Sequence, residues 1–175
     1  MEMIDLLRTR RSIRKFQDKP LEKEKVEILK EAVLRSPSSR NVKPWHFIFI
    51  DDRGLLLKLA SSKRHGAEFL EGAPLGIVVL GDEVHTDVWV EDCSIATLIA
   101  HLTAHSLGLG SCWIQIRNRD HSDYDSAEEY IRDLLAIPDH MRVEAMIAIG
   151  YPGEEKEGVP LQEIDFSKIS HNIFQ

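Results

Sequence analysis

Val88-Trp-Val-Glu-Asp-Cys-Ser-Ile-Ala-Thr-Leu-Ile-Ala-His-Leu-Thr-Ala-His-Ser-Leu107 is the stretch on which the fold turns. Val88, Cys93, Ala96, Ile99, Ala100 and Leu107 are apolar, and so are Ile95, Leu98 and Leu102. A helix apolar over so much of its circumference belongs inside a core or at a subunit interface. The pattern predicts a central helix over 88–107 and, because so apolar a helix is hard to bury in one small chain, a two-fold dimer. Gly108 and Gly110 follow it, and both read as a left-handed helix stop.

Outward from this helix the chain alternates between the two periods. Ser111 to Ile116 reads as the next strand. Upstream, Trp45-His-Phe-Ile-Phe-Ile50 is dense in aromatic and β-branched residues and is bounded by Pro44 and Asp51-Asp52. Leu75 to Gly81 is a continuous apolar run, which predicts a strand covered on both faces. Val143 to Ile149 is a further strand, closed by Gly150-Tyr-Pro-Gly153. Helices are expected over 4–9, from Pro20 through Val26, Leu29, Ala32 and Val33 to a stop at Pro37, and from about Arg53 to Ser62. Another is expected over 126–135, with Ser126 as cap and Glu129 completing a capping box. Residues 63–74 are polar and carry no period, and the tail from 154 alternates without one. The expectation is one mixed α and β domain over residues 1–175, with helices between successive strands.

The chain has 175 residues, of which 43% are hydrophobic and 29% charged, so a disordered or collagen-like chain is excluded. Its net charge of −7 argues against a nucleic-acid partner. The apolar runs Trp45–Ile50 and Leu75–Leu80 fall far short of the ~20 residues of a spanning helix. Met1-Glu-Met-Ile-Asp-Leu-Leu-Arg8 has acids within it and no apolar signal core, so it is read as part of the fold. Cys93 and Cys112 make no disulfide framework and fit a reducing cytoplasm.

Three segments carry chemistry. Arg8 to Lys15, with Arg10-Arg-Ser-Ile-Arg14 at its centre, holds five positive charges and no acid. Charge concentrated against the trend of the whole protein suits a local anion, and arginine forks with a serine hydroxyl suit phosphate oxygens. The same run would also serve as a solvated basic face. Ser36-Pro-Ser-Ser-Arg-Asn41, then Lys43-Pro44-Trp45, lies where a helix gives way to a strand. Small hydroxyl residues there allow close backbone approach, and Asn41 both donates and accepts. Taken alone, these residues favour a plain turn with Asn41 in a left-handed conformation. Gly108-Leu-Gly-Ser-Cys-Trp-Ile114 could leave amides open to a ligand, or could be only a helix stop and a buried strand. It lacks the lysine and hydroxyl of a Walker loop.

In their order and spacing these segments resemble the nitroreductase family of FMN-dependent oxidoreductases, with Ile149-Gly-Tyr-Pro152 matching its usual closing strand and turn. The resemblance implies an α+β three-layer fold, with a central, mainly antiparallel sheet flanked by helices, and an intertwined homodimer with FMN at the subunit seam. It implies NADH or NADPH as electron donor, small acceptors such as nitroaromatics or quinones, and ping-pong turnover. Arg10, Arg11, Ser12 and Arg14 would hold the phosphate and part of the ribityl chain. Pro37, Ser38 and Ser39 would line the isoalloxazine from the partner subunit, with Asn41 near the ring or substrate. Cys112, Trp113 and Ile114 would offer backbone contacts at the pyrimidine side. No catalytic side chain is implied, since the flavin N5 takes the hydride. Three positions depart from the pattern. Lys43 replaces a common Gln, and Gln115 stands where Gly often follows Trp-Ile. The basic phosphate contact after Tyr-Pro is represented by Lys156 among Glu154, Glu155 and Glu157, with Lys63 or Arg64 as substitutes. Other chemistries of the family, dehalogenation and flavin fragmentation, and a flavin-binding redox sensor or store without turnover are the alternatives.

His101 and His105 have a spacing able to bind zinc, but no third ligand has motif spacing, so packing contacts are expected of them and no metal. The apolar flanks of Cys112 predict a raised thiol pKa rather than a nucleophile.

Overall fold

The computed structural model describes residues 2–174. Nine helices and strands are named here in chain order: α1 (Met3–Thr9), α2 (Lys23–Leu34), β1 (Trp45–Ile50), α3 (Arg53–Ala60), β2 (Leu75–Asp82), α4 (Trp89–Ser106), β3 (Gly110–Gln115), α5 (Ala127–Leu135) and β4 (Met141–Gly150). The four strands form one sheet in the order β1-β2-β4-β3, and every neighbouring pair is antiparallel. Helices cover both faces, as the α+β three-layer expectation required.

The period of two decides which side chain meets which layer. Leu75, Ile77 and Val79 of β2, with Ile147 and Ile149 of β4, pack on Leu29 and Val33 of α2 and Cys93, Ala100 and Ala104 of α4. Val78 and Leu80, with Met146 and Ala148, pack on Leu56 and Leu59 of α3 and Ile131 of α5. Val143 shares the second face with Met146 although their odd spacing of three would separate them in an unbroken strand. The β2–β4 register shifts between Val79 and Leu80, and Glu144 is the extra residue of that bulge.

Two local expectations are corrected. Pro20 lies outside α2, which begins at Lys23. The start is fixed by a remote contact: the Glu22 carboxylate accepts from the Tyr151 hydroxyl at 2.6 Å. Gly108 takes the left-handed conformation expected of a helix stop, at φ 74°, but Gly110 does not. Gly110 opens β3, and a Cβ there would lie 2.8 Å from the Ile13 side chain, so close packing is what requires glycine.

The central helix keeps an apolar outer face. Cys93, Ala96, Ala100 and Ala104 are buried, yet Ile95 is 40% and Leu98 49% exposed. Beyond Gly158 every described residue is exposed, Phe166 and Ile169 at 59% and 73%. No helix among the described residues is long and apolar enough to cross a membrane.

Candidate functional site

The basic amino-terminal segment lies along the outer edge of β3. Ser12 bridges Ser111 in parallel, and the Ile13 amide donates to the Ser111 carbonyl at 3.0 Å. Two histidines of α4 fasten it from below. Arg10 Nη1 donates to His101 Nε2 at 3.1 Å, and Thr9 Oγ1 meets His105 Nε2 at 2.8 Å. Burial and the Arg10 charge hold the His101 pKa down to about 4, so its ring is neutral near pH 7. Arg10 can only donate, which leaves Nε2 bare and gives the proton to Nδ1, where it faces Ser111 Oγ. The histidine pair is therefore a packing and hydrogen-bonding device, as the missing third ligand suggested.

Residues 154–157 fold back onto this segment. The Glu154 carboxylate accepts from the Arg14 amide at 2.6 Å and the Lys15 amide at 3.2 Å, and pairs with Lys156 Nζ at 3.0 Å. Lys156 also donates to the Ser12 carbonyl at 2.9 Å. Arg11 donates to the Glu157 carbonyl. The Arg14 guanidinium lies 5.7 Å from the Phe69 ring centroid and has no carboxylate within 4 Å among the described residues. Burial pushes the Cys112 thiol up, against the charges of Arg14, Lys156 and Arg10 and a contact with Ser12. Cys112 itself is buried on β3. A cavity of about 670 Å³ opens beside this basic segment, lined by Arg11, His105 and Lys156 but also by Glu154, Glu155 and Glu157. The arginine forks and the Ser12 hydroxyl are donors that suit a phosphate dianion, while Lys156 is already paired with Glu154.

Amide donors and Lys156 hold the Glu154 carboxyl well below its usual value of 4.5, at about 2. A carboxyl lowered on folding stabilises fully above its unfolded pKa and loses that contribution as pH falls toward the folded one. Glu154→Gln is expected to lower the urea midpoint at pH 7. The gap from wild type should close as pH is taken from about 4.5 toward about 2. A gap that is constant over this range would contradict the assignment.

The second segment sits elsewhere. Ser39 donates its amide to Asp92 Oδ1 at 2.9 Å, at the start of α4, and Lys43 donates its amide to Ser38 Oγ at 2.9 Å. His101 is about two and a half turns further along that helix. Arg40, Asn41 and Lys43 all have positive φ, between 50° and 57°, a conformation that costs energy in residues other than glycine. Ser36 Oγ, Trp45 Nε1 and Asp92 Oδ2 are buried there without a hydrogen-bond partner. Pro37, Ser38, Ser39 and Asn41 are thus held on a strained loop with unused polar capacity, away from Arg10 and Arg14 of the same chain.

In the third segment Cys112 is buried and Trp113 half-buried. Gln115 is locked by its own strand: it accepts from Trp113 Nε1 at 3.0 Å and donates to the Arg117 carbonyl at 3.1 Å. Its carbonyl accepts from Lys63 Nζ at 3.1 Å, so Lys63 stands at the far end of β3 from Ser12. Lys156 is therefore the basic tail residue at the first segment, and Lys63 is not its substitute. His101 and Glu154 were missed as members of the site. The only sequence signal for them was the buried helix face and the proximity of Glu154 to Tyr151-Pro152.

A model of the nitroreductase family matches residues 7–64 and 55–151. A curated protein of Methanothermobacter thermautotrophicus, whose name joins NADH dehydrogenase to NAD(P)H nitroreductase, is 37% identical over 157 residues, covering 88% of this chain and 79% of that one. One of Archaeoglobus fulgidus with the same name is 36% identical over 160 residues, covering 89% and 88%. The solved structure of an FMN-dependent nitroreductase from Clostridium difficile R20291 superposes with a TM-score of 0.97 at 45% identity, covering 98% of this chain and 100% of that one.

Proposed function

The chain belongs to the nitroreductase family, and from that premise we propose that it is a single-domain, FMN-dependent NAD(P)H oxidoreductase that reduces nitroaromatic, quinone or similar small acceptors. One observation carries this reading: the Ser12–Ser111 bridge lays the Arg10–Arg14 run along the edge of β3, where Lys156 joins it through the Ser12 carbonyl, in a protein whose net charge is −7. Those residues and Arg11 would hold the phosphate. Cys112, Trp113 and Ile114 would border the pyrimidine side with their backbone, and Pro37, Ser38, Ser39 and Asn41 of a second copy would line the ring. Bound there, FMN supplies hydride acceptance from NADH or NADPH and electron delivery to the acceptor in alternating half-reactions. The chain's own part is to bind and orient. His101 fixes the Arg10 fork, Glu154 fixes the turn at Arg14, and the Arg14 charge favours an anion beside it.

A two-fold homodimer completes the site. The outer edge of β3 is covered by Ser12 and Ile13, whereas β1 has a strand on one side only. That open edge borders an apolar cavity of about 360 Å³ lined by Leu34, Trp45, Phe47 and Phe49 among others. The exposed Ile164, Phe166 and Ile169 of the tail offer matching apolar groups from a partner. Two unlinked buried cysteines fit a cytoplasmic setting.

Anaerobic mixing with NADPH and with NADH tests the activity. Rapid bleaching of bound flavin with at least one donor, reversed by a quinone or nitroaromatic, is the expected result. Bound flavin that bleaches with neither would make the protein a flavin store or sensor.

A further inference from the structure

A basic cavity lies at the opposite end of β3 from the Ser12–Lys156 contact. It measures about 270 Å³ and is lined by Lys63, Arg64, His65, Arg119 and Asp120. Two loops build it, one following α3 and one following β3. They are cross-braced: the Arg64 amide donates to the Asp120 carbonyl at 3.2 Å, and His121 Nδ1 meets the Ser62 carbonyl at 3.2 Å. His121 stacks on Tyr130 at 4.2 Å between ring centroids. Asn118, at φ 58°, turns the second loop so that the Arg119 amide closes onto the Ile116 carbonyl at 3.0 Å. The side chains are thus presented by a rigid frame.

Their charge is only partly answered. Arg64 is paired with Asp123 at 2.5 Å. Lys63 and Arg119 have no carboxylate within 4 Å among the described residues. Their polar contacts are the carbonyls of Gln115 and Asn118. Burial and the Arg119 charge together lower the Lys63 pKa, and Glu68 opposes this only in part. Lys63, Arg64 and Arg119 share one concavity in which Asp120 is the one acidic lining residue, a setting that a bound anion would ease. Lys63 binds the carbonyl of Gln115, one residue beyond the Cys112–Ile114 segment. An anion here would lie beside the ring end of the site, and the flavin phosphate pocket is at the other end.

We propose that this cavity binds a phosphate group of the pyridine dinucleotide donor, with Lys63 and Arg119 as its recognition residues. The proposal rests on the flavin reading above. The shared chemistry is a phosphate oxygen. It could come from the bridging pyrophosphate, common to both donors, or from the 2′-phosphate that only NADPH carries.

The test uses the full-length protein saturated with FMN, so that the other phosphate pocket is filled. Inorganic pyrophosphate is titrated by calorimetry, and KM and kcat are measured for NADH and NADPH. The double variant Lys63→Gln, Arg119→Gln should raise the pyrophosphate Kd about tenfold or more, which corresponds to roughly 1.4 kcal/mol. Donor KM should rise by a similar factor, with the change in KM rather than kcat. Added salt should weaken wild type more than the variant. Arg119→Lys should recover most of the loss, and Arg119→Gln alone serves if the double variant does not fold. An equal KM rise for both donors supports the pyrophosphate as source, and a rise for NADPH alone supports the 2′-phosphate. Unchanged Kd and KM in folded, yellow variants would overturn the donor site and leave the flavin reading standing. A protein that takes up no FMN removes both.

Discussion

Replacing Arg14 with alanine is expected to weaken FMN binding by about 30- to 150-fold, the loss of one charge-assisted phosphate contact of roughly 2–3 kcal/mol. The effect should be large because nothing else holds this guanidinium. It has no carboxylate within 4 Å among the described residues, and it lies over the Phe69 ring at 5.7 Å from the centroid. Its backbone amide is committed to Glu154 and survives the substitution, so the turn should persist. Arg11 differs, since its side chain already donates to the Glu157 carbonyl. Arg11→Ala should cost less affinity for FMN and more in anchoring the tail. Fluorescence titration of FMN into the apoprotein separates the two. An Arg14→Ala protein with the wild-type Kd would remove the phosphate assignment.

Truncation after Gly158 is expected to abolish dimer formation and flavin retention together. The deleted stretch includes Ile164, Phe166, Ile169 and Ile173, all exposed on their own chain. Apolar groups left so open gain roughly 25 cal/mol for each Å² a partner covers. The open β1 edge and the outward Ile95 and Leu98 are the surfaces that would cover them. Since Ser38, Ser39 and Asn41 sit apart from Arg10 within one chain, loss of the partner removes half of the ring pocket. Light scattering should give twice the 20.0 kDa chain mass for wild type and a single chain for the truncation. A truncated protein that stays paired and yellow would show that the tail is dispensable.

Much of the fold was legible because its signals are local. The strand from Trp45 to Ile50 is bounded where Pro44 and Asp52 require, and Asp52 caps α3 by accepting from the Leu55 amide at 2.8 Å. Both halves of the Ser126 and Glu129 capping box are formed. The start of α2 was misread because Tyr151, remote in sequence, sets it through Glu22. The Glu144 bulge was unreadable, since the register of β2 against β4 decides it. The site divides in the same way. Its arginines, serines and glycines stand out as runs. The groups that aim them, His101 and Glu154, are single residues whose roles arise from contacts across 91 and 140 positions.

The bond from Glu154 to Arg14 also bears on the order of folding. Closing a loop of that length has an entropic cost that must be met before the contact gives anything back. The ribosome must release the chain past residue 154 before Arg14 acquires this neighbour. A late-forming junction stabilised by a ligand changes the unfolding rate more than the folding rate. Excess riboflavin 5′-phosphate should therefore prolong the life of the native protein in denaturant while leaving the speed of its renaturation almost untouched.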